Sequence, residues 1–565
     1  MPDIKNPLPP PRELDIESTM KNIMLPMRDG VKLFTSIIFP AEMPEKAPVV
    51  LLRSSYMRRT YLELPEPECL ANGFIFIRQS TRGTGWSQGT FDPAERDLER
   101  NDAEDFFKWL DEQPWYNGRC VMIGSSYLAW TQWSAMRIGY HGLVGITPRV
   151  GPLSGCIGSA VPGGGASQSF TTHWMLSMHH RTHFGYESVP NYDEMEIDWK
   201  LPICDADIIA GYGVNEPFRK FLDVARTPAK SLLTYQADFS GFRCPAFIQG
   251  GWFDGFKCQT IESFQLMRKN AATPEARNFT RLLIGPWVHG GLANPDIFGA
   301  ETNYDELTRR LWKFVRGILA DPTADPMPEI PPVTYYMIGE NCWCTAETWP
   351  PQGSRPQTFY LHSNGNANSN RGDGRIDSAQ PQAAEQSDTY ISDPNHPVLS
   401  NNGRHEALGC YDLTPQEERA DVLVYTSDIM TTPLTIAGEV KLNFHASVST
   451  PDTDFCATLT DVTPDGRSML LTSGTIRARF RNSLEHEELM IPNDIYEFTI
   501  DLSHIAARIK PGHRLRLSIC GQSFPTLHRN ANSGKRLFTD TELFPARCTI
   551  LHDADHPARL VLDTL

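Results

Sequence analysis

The sequence predicts an α/β protein whose mostly parallel sheet carries an inserted helical cap and is followed by an all-β domain of jelly-roll type. Three observations carry this reading. Short continuous apolar runs alternate with segments of helical spacing up to about residue 330, as expected of βαβ units in a sheet covered on both faces. Between Gly151 and Arg243 the buried-strand runs stop, and polar and apolar residues mix at helical spacing. From Pro331 onward helical signals almost vanish, and short β runs recur between turns. The expected division is 1-150 and 244-330 for the sheet domain, 151-243 for the cap and 331-565 for the jelly roll.

A chain of 565 residues, 40% hydrophobic, is long enough for two to four domains with large cores. Its formal net charge of -16, from 52 basic and 68 acidic residues, argues against nucleic acid or an anionic membrane as partner. The start, M-P-D-I-K-N-P-L-P-P-P-R, has no signal-peptide pattern, and no apolar run approaches about eighteen residues. A cytoplasmic location is the expectation. Twelve cysteines without C-x-x-C pairs suit buried free thiols in a reducing compartment.

The elements follow in order. A Pro-rich arm is expected to pack as an extended strap. Ile23 to Pro40 reads as a hairpin turned at Arg28-Asp29-Gly30. Pro48 to Leu52 and Gly73 to Ile77 are buried-strand runs, the first leading into Arg53-Ser54-Ser55-Tyr56, the second into a glycine-rich loop. Ala103, Phe106, Phe107 and Leu110 have helical spacing with acids on the other face, and Pro114 stops that helix. In the cap, Gly163-Gly164-Gly165 lacks the Lys-Ser or Lys-Thr of a phosphate cradle. His173, His179, His180 and His183 lack a zinc-type pattern, so no metal is expected. Strands resume at Pro245 to Gln249 and Arg281 to Ile284, and a final amphipathic helix carries Leu307, Leu311, Phe314, Val315 and Ile318. The β runs of the last region begin at Val333 to Ile338 and end at Leu515 to Ile519.

The chemistry centres on Val121-Met122-Ile123-Gly124-Ser125-Ser126-Tyr127, an apolar strand that turns at once into a helical segment. A serine at such a corner stands clear of the sheet at the positive end of the helix dipole. Ser126 is the candidate nucleophile, although an ordinary Gly-Ser turn would read the same. A serine hydroxyl is protonated at neutral pH, so attack needs a histidine base, which in turn needs a carboxylate to orient it. Asp254, in Gly250-Gly251-Trp252-Phe253-Asp254, and His289, in Gly285-Pro286-Trp287-Val288-His289, both lie just past strand ends, where open α/β sheets keep their chemistry. The order serine, aspartate, histidine is that of α/β-hydrolases. Each residue alone has a bland reading as a turn or loop former; their joint placement is what argues for a site. The oxyanion hole would use the backbone N–H of Tyr127 and a donor from the loop after Leu52, where Tyr56 sits. A core tyrosine is the alternative for Tyr56. Trp130, Trp174, Trp252, Phe253 and Phe256 are the candidate pocket liners, each with a core-packing alternative.

These segments, with M-R-D-G-V-K-L (Met27 to Leu33), Q-P-W-Y-N-G-R (Gln113 to Arg119), Y-T-S (Tyr425 to Ser427), D-T-D-F (Asp452 to Phe455), D-V-T-P-D-G (Asp461 to Gly466) and G-H-R-L-R-L (Gly512 to Leu517), resemble the cocaine esterase and X-Pro dipeptidyl peptidase (CocE/NonD) family of serine hydrolases. The resemblance implies an α/β-hydrolase domain, a helical cap and a C-terminal jelly roll, with Ser126, Asp254 and His289 as the triad and Tyr56 in the oxyanion hole. Two positions depart from the family: Ala129 replaces a usual glycine and Ser80 a common aspartate. The large N-terminal extension of X-Pro dipeptidyl peptidases has no counterpart, which ranks that activity low. The expectation is hydrolysis of a carboxylic ester through an acyl-enzyme on Ser126. An acylase, an amino-acid ester hydrolase, or a biosynthetic acyltransferase or cyclase using the same triad is the alternative, and a non-catalytic scaffold or carbohydrate-binding protein ranks lower. The expected partner is a small-molecule acyl substrate, with no cofactor; a homodimer is compatible with the sequence.

Overall fold

The computed structural model describes residues 20–56, 66–95, 97–151, 153, 162–184, 192–227, 238–292, 295–299, 302, 304–400 and 409–565. The Pro-rich arm and the side chain of His183 lie outside the described residues.

Eight strands, β1 (Met20–Pro26), β2 (Lys32–Ile38), β3 (Ala47–Ser54), β4 (Ile75–Ser80), β5 (Tyr116–Ser125), β6 (Leu143–Arg149), β7 (Phe247–Gly251) and β8 (Arg281–Gly285), stand in the order β1-β2-β4-β3-β5-β6-β7-β8. β2 is antiparallel to both its neighbours, and from β4 onward every pair is parallel. Successive side chains of a strand face opposite sides, and both sides are dry. Val49, Leu51, Ile75, Ile77, Met122 and Ile248 join one core with Phe106, Phe107 and Leu110 of the helix Leu98–Asp111. Val50, Phe76, Val121, Phe247 and Leu283 join another with Leu311, Phe314 and Ile318 of the helix Tyr304–Ala320. Double coverage is why these strands read as unbroken apolar runs.

Two expectations need correction. The acids of the helix Leu98–Asp111 are expected on the face away from its apolar stripe, but two of them, Glu99 and Asp102, are buried, at 6% and 1% exposed. Each is drawn inward by a guanidinium, Arg53 at 3.1 Å from Glu99 and Arg82 at 2.6 Å from Asp102. The run from Val333, expected to open the β domain, instead extends the first sheet. Val333–Met337 pairs parallel with β8 and antiparallel with Cys342–Ala346, which forms the sheet edge. Its alternation is that of any strand, so only pairing places it.

Among the described residues the stretch from 162 to 227 is helical, with a π-helical turn Ser169–Trp174 running into Met175–Phe184, then Glu194–Trp199 and Glu216–Ala225. Two of the cap histidines make polar contacts within the cap: His173 Nε2 lies 2.6 Å from Asp198 Oδ1, and His180 Nδ1 is 2.9 Å from the Tyr212 hydroxyl.

From Arg355 the chain is β-rich, with eleven strands in one connected sheet. The long strands Leu434–Val448 and Ile495–Ile509 pair with each other, and Asp454–Val462 pairs with Ser468–Arg477. Phe455 packs against Phe444 and Phe498 with ring centroids 5.2 and 4.8 Å apart, so the two pairs face each other across an apolar layer as in a sandwich. Two further strands, Ala546–Leu551 and Arg559–Thr564, follow the last β run expected from the sequence. The β region seats firmly on the first sheet. Ile338 N–H donates to the Ala506 carbonyl and Arg508 N–H to that of Ile338, Trp349 Nε1 donates to His504 Nδ1 at 3.2 Å, and Lys257 Nζ donates to Thr472 Oγ1 at 2.8 Å.

Candidate active site

β5 meets the helix Tyr127–Met136 with only Ser126 between them. Ser126 has φ 59° and ψ −125°, a conformation that costs a non-glycine residue roughly 1–3 kcal/mol. It is held there by its N–H, which donates to the Arg149 carbonyl at 2.9 Å. The helix packs tightly at its start: a Cβ on Gly151 would lie 2.5 Å from Cβ of Ala129 and from the Ser126 carbonyl. The methyl of Ala129 fits because residue 151 is glycine.

Asp254 follows β7 by three residues and His289 follows β8 by four. The two loops are braced together, since Trp252 N–H donates to the Gly285 carbonyl and Phe253 N–H to that of Trp287. At this edge His289 Nδ1 lies 2.8 Å from Asp254 Oδ2, and His289 Nε2 lies 2.9 Å from Ser126 Oγ. The Asp254 side chain is fully buried, and its Oδ1 accepts the Phe256 N–H at 2.7 Å. A buried carboxylate at Nδ1 puts the ring proton on that nitrogen, which leaves Nε2 to accept from the serine hydroxyl.

Tyr56 stands two residues beyond β3 in a turn closed by Ser54, whose Oγ donates to the Tyr56 carbonyl at 2.7 Å and accepts its N–H at 3.0 Å. The Tyr56 hydroxyl oxygen accepts the indole N–H of Trp174 at 3.0 Å. Tyr127 is the first residue of its helix, where N–H groups point out of the N-terminal end.

The candidate liners divide. Phe256 packs on the His289 imidazole with centroids 5.2 Å apart, and Trp174 is half-buried beside Tyr56. Trp130 is 3% exposed and supports Tyr127 from within the helix. Trp252 and Phe253 are not liners. Trp252 is 1% exposed, donates to the Tyr336 carbonyl at 2.7 Å and packs on Trp349, while Phe253 packs on Phe298. The turn after Gly251 aims both into the core, which residue type does not reveal. Phe170, absent from the candidates, stacks on Trp174 at 5.1 Å and meets Phe256 at 5.4 Å. Its four-residue spacing from Trp174 is the signal that could have found it. Among the described residues no three His, Cys, Asp or Glu side chains are placed to hold a metal ion.

Residues 29–291 match the family model of X-Pro dipeptidyl-peptidase (S15 family), and residues 328–561 match that of the X-Pro dipeptidyl-peptidase C-terminal non-catalytic domain. The chain is 30% identical to cocaine esterase of Rhodococcus sp. (strain MB1 Bresler), over 96% of this chain and 98% of that protein. It belongs to the cocaine esterase and X-Pro dipeptidyl-peptidase (S15) family. Members of this S15 family are serine-type hydrolases, and this chain is an enzyme of that type. An α-amino acid ester hydrolase has the same fold at TM-score 0.80 and 22% identity, covering 99% of this chain and 100% of that one. An aminopeptidase from a marine sediment Thaumarchaeota archaeon aligns at TM-score 0.78 and 22% identity, covering 100% and 98%. No helix among the described residues is long and apolar enough to cross a membrane.

Proposed function

We propose that this ester hydrolase works through an acyl-enzyme on Ser126, with His289 as general base and acid and Asp254 as its orienting carboxylate. The observation that carries the reading is the imidazole bridging Ser126 Oγ at 2.9 Å and Asp254 Oδ2 at 2.8 Å. Ser126 Oγ attacks the ester carbonyl carbon as its proton passes to His289 Nε2, and Asp254 stabilises the imidazolium. The carbonyl oxygen, now an oxyanion, takes donors from the Tyr127 N–H and the Tyr56 hydroxyl. Accepting the Trp174 N–H at 3.0 Å orients the Tyr56 hydroxyl, and a phenol is protonated at neutral pH. Collapse breaks the ester C–O bond, and the leaving alkoxide takes the proton from Nε2. Water then attacks the acyl carbon, its proton goes to Nε2 and from there to Ser126, and the carboxylic acid leaves. The aromatic wall of Phe170, Trp174 and Phe256 suits an ester with an apolar or aromatic group.

A panel of aryl and alkyl esters and matched amides tests this. The wild type is expected to release alcohol in a burst equal to the enzyme concentration, with esters turned over faster than amides. Ser126→Ala should lower kcat about a millionfold. A Ser126→Ala enzyme that keeps its esterase activity would refute the assignment.

A further inference from the structure

Beneath the elbow lies a buried polar network that the chemistry above does not use. The Tyr127 hydroxyl donates to Glu99 Oε1 at 2.9 Å. Arg53 Nη1 sits 3.1 Å from Glu99 Oε2 and donates to the Glu99 backbone carbonyl at 2.9 Å. Arg53 Nε donates to Gln79 Oε1 at 2.9 Å, and Gln79 Nε2 to Thr35 Oγ1 at 3.1 Å. All of these side chains are buried, Arg53 and Gln79 completely. Burial pushes the Glu99 carboxyl up from its ordinary range, and Arg53 and the Tyr127 hydroxyl pull it back.

The network connects the two places that supply the oxyanion donors. Tyr127 is the residue whose N–H stands behind the nucleophile, and Arg53 is the penultimate residue of β3, three before Tyr56. Thr131 Oγ1, one turn along the elbow helix, also reaches the Arg53 carbonyl at 3.3 Å. A buried charge pair with hydrogen-bonded neighbours is geometrically stiff, and losing one partner leaves the other uncompensated. A sheet–helix contact needed only for packing would be met by apolar side chains, as Phe106 and Leu110 meet it one face away.

We propose that Glu99 and Arg53 are positioning residues that hold the Tyr127 and Tyr56 donors in register around the developing oxyanion. The proposal rests on Ser126 being the nucleophile. Glu99 touches no reacting atom; it fixes the helix start through the Tyr127 phenol and the strand end through Arg53.

The test is a double-mutant cycle of Tyr127→Phe and Glu99→Gln, with kcat expressed per site titrated by a chromogenic phosphonate, so that unfolded protein does not count. Each variant is expected to lose about tenfold in kcat with KM nearly unchanged, as for an interaction made in the transition state. The double variant should lose no more than the worse single one, because both act on the same Tyr127–Glu99 contact, the first by removing its donor and the second by removing the charge of its acceptor. Rates of phosphonylation should fall in parallel. If Glu99→Gln does not fold, Tyr127→Phe alone decides. A Tyr127→Phe enzyme with at least half the wild-type kcat per titrated site, or losses that multiply in the double variant, overturns the proposal. Failure of the nucleophile assignment is distinct, since Ser126→Ala would then remain active whatever the cycle shows.

Discussion

Asp254 commits both carboxylate oxygens, one to His289 and one to the Phe256 N–H, so in the proposed mechanism it fixes the tautomer and orientation of the base. Asp254→Asn keeps the size but offers the wrong partner to Nδ1, and kcat should fall about ten-thousandfold with the fold intact. Steady-state kinetics beside thermal unfolding check this. Tyr56→Phe removes one of two proposed oxyanion donors and should lower kcat about a hundredfold with little change in KM. Unchanged turnover would remove Tyr56 from the hole. At this scale the sequence was legible where chemistry restricts residue type. Ser126, His289 and Asp254 are marked by glycine-flanked strand ends, and all three meet. The aromatics were less legible, since Trp252, Phe253 and Phe256 share one pentapeptide and only the third faces the imidazole. Which way a side chain points after a turn depends on backbone dihedrals that five letters do not carry.

The pairing of β7 and β8 is the element that brings Asp254 and His289 together. A Cβ on Gly251 would lie 2.1 Å from the Trp287 carbonyl oxygen, the atom that accepts the Phe253 N–H. Gly251→Ala must therefore push the two loops apart, and it should cost far more in kcat than in melting temperature. Equal kcat per titrated site would show that the loops absorb the change. Of the parallel strands, β3, β4, β5, β7 and β8 were legible as continuous apolar runs because both faces are covered, whereas β6, whose run Leu143–Arg149 is interrupted by Gly145 and Pro148, was not. The helix Leu98–Asp111 was legible in its apolar stripe but not in its acids, because Glu99 becomes an inward group only once Arg53 arrives from a distant strand. The sheet to which Val333–Met337 belongs is hidden in the sequence for a similar reason, since its partner β8 lies about fifty residues earlier.

Across the whole molecule, two titrating groups sit at the seam between the first sheet and the β region. Burial pushes Lys257 down from an ordinary 10.5 to about 8. Between those values the unfolded chain holds a proton that the folded one does not, so stability should rise as pH increases from about 8 to 10.5. The full effect is on the order of 3 kcal/mol. Burial likewise pushes His504 from 6.5 down to about 4, and its Nδ1 is occupied by the Trp349 N–H. Stability should therefore fall as pH drops from about 6.5 to 4. Denaturant unfolding across both windows checks the signs, and Lys257→Met should flatten the alkaline rise without deepening the acid loss. The sequence conveyed the order of the regions but not this seam, which is made of contacts such as Lys257 with Thr472 that only the assembled fold creates. The central claim, that these distant segments converge to make one serine reactive, is tested most directly by peptide mass spectrometry after inactivation with a fluorophosphonate. The predicted result is a single stoichiometric adduct on Ser126, lost in His289→Ala; an adduct on another residue, or full inactivation with Ser126 unmodified, would contradict the account.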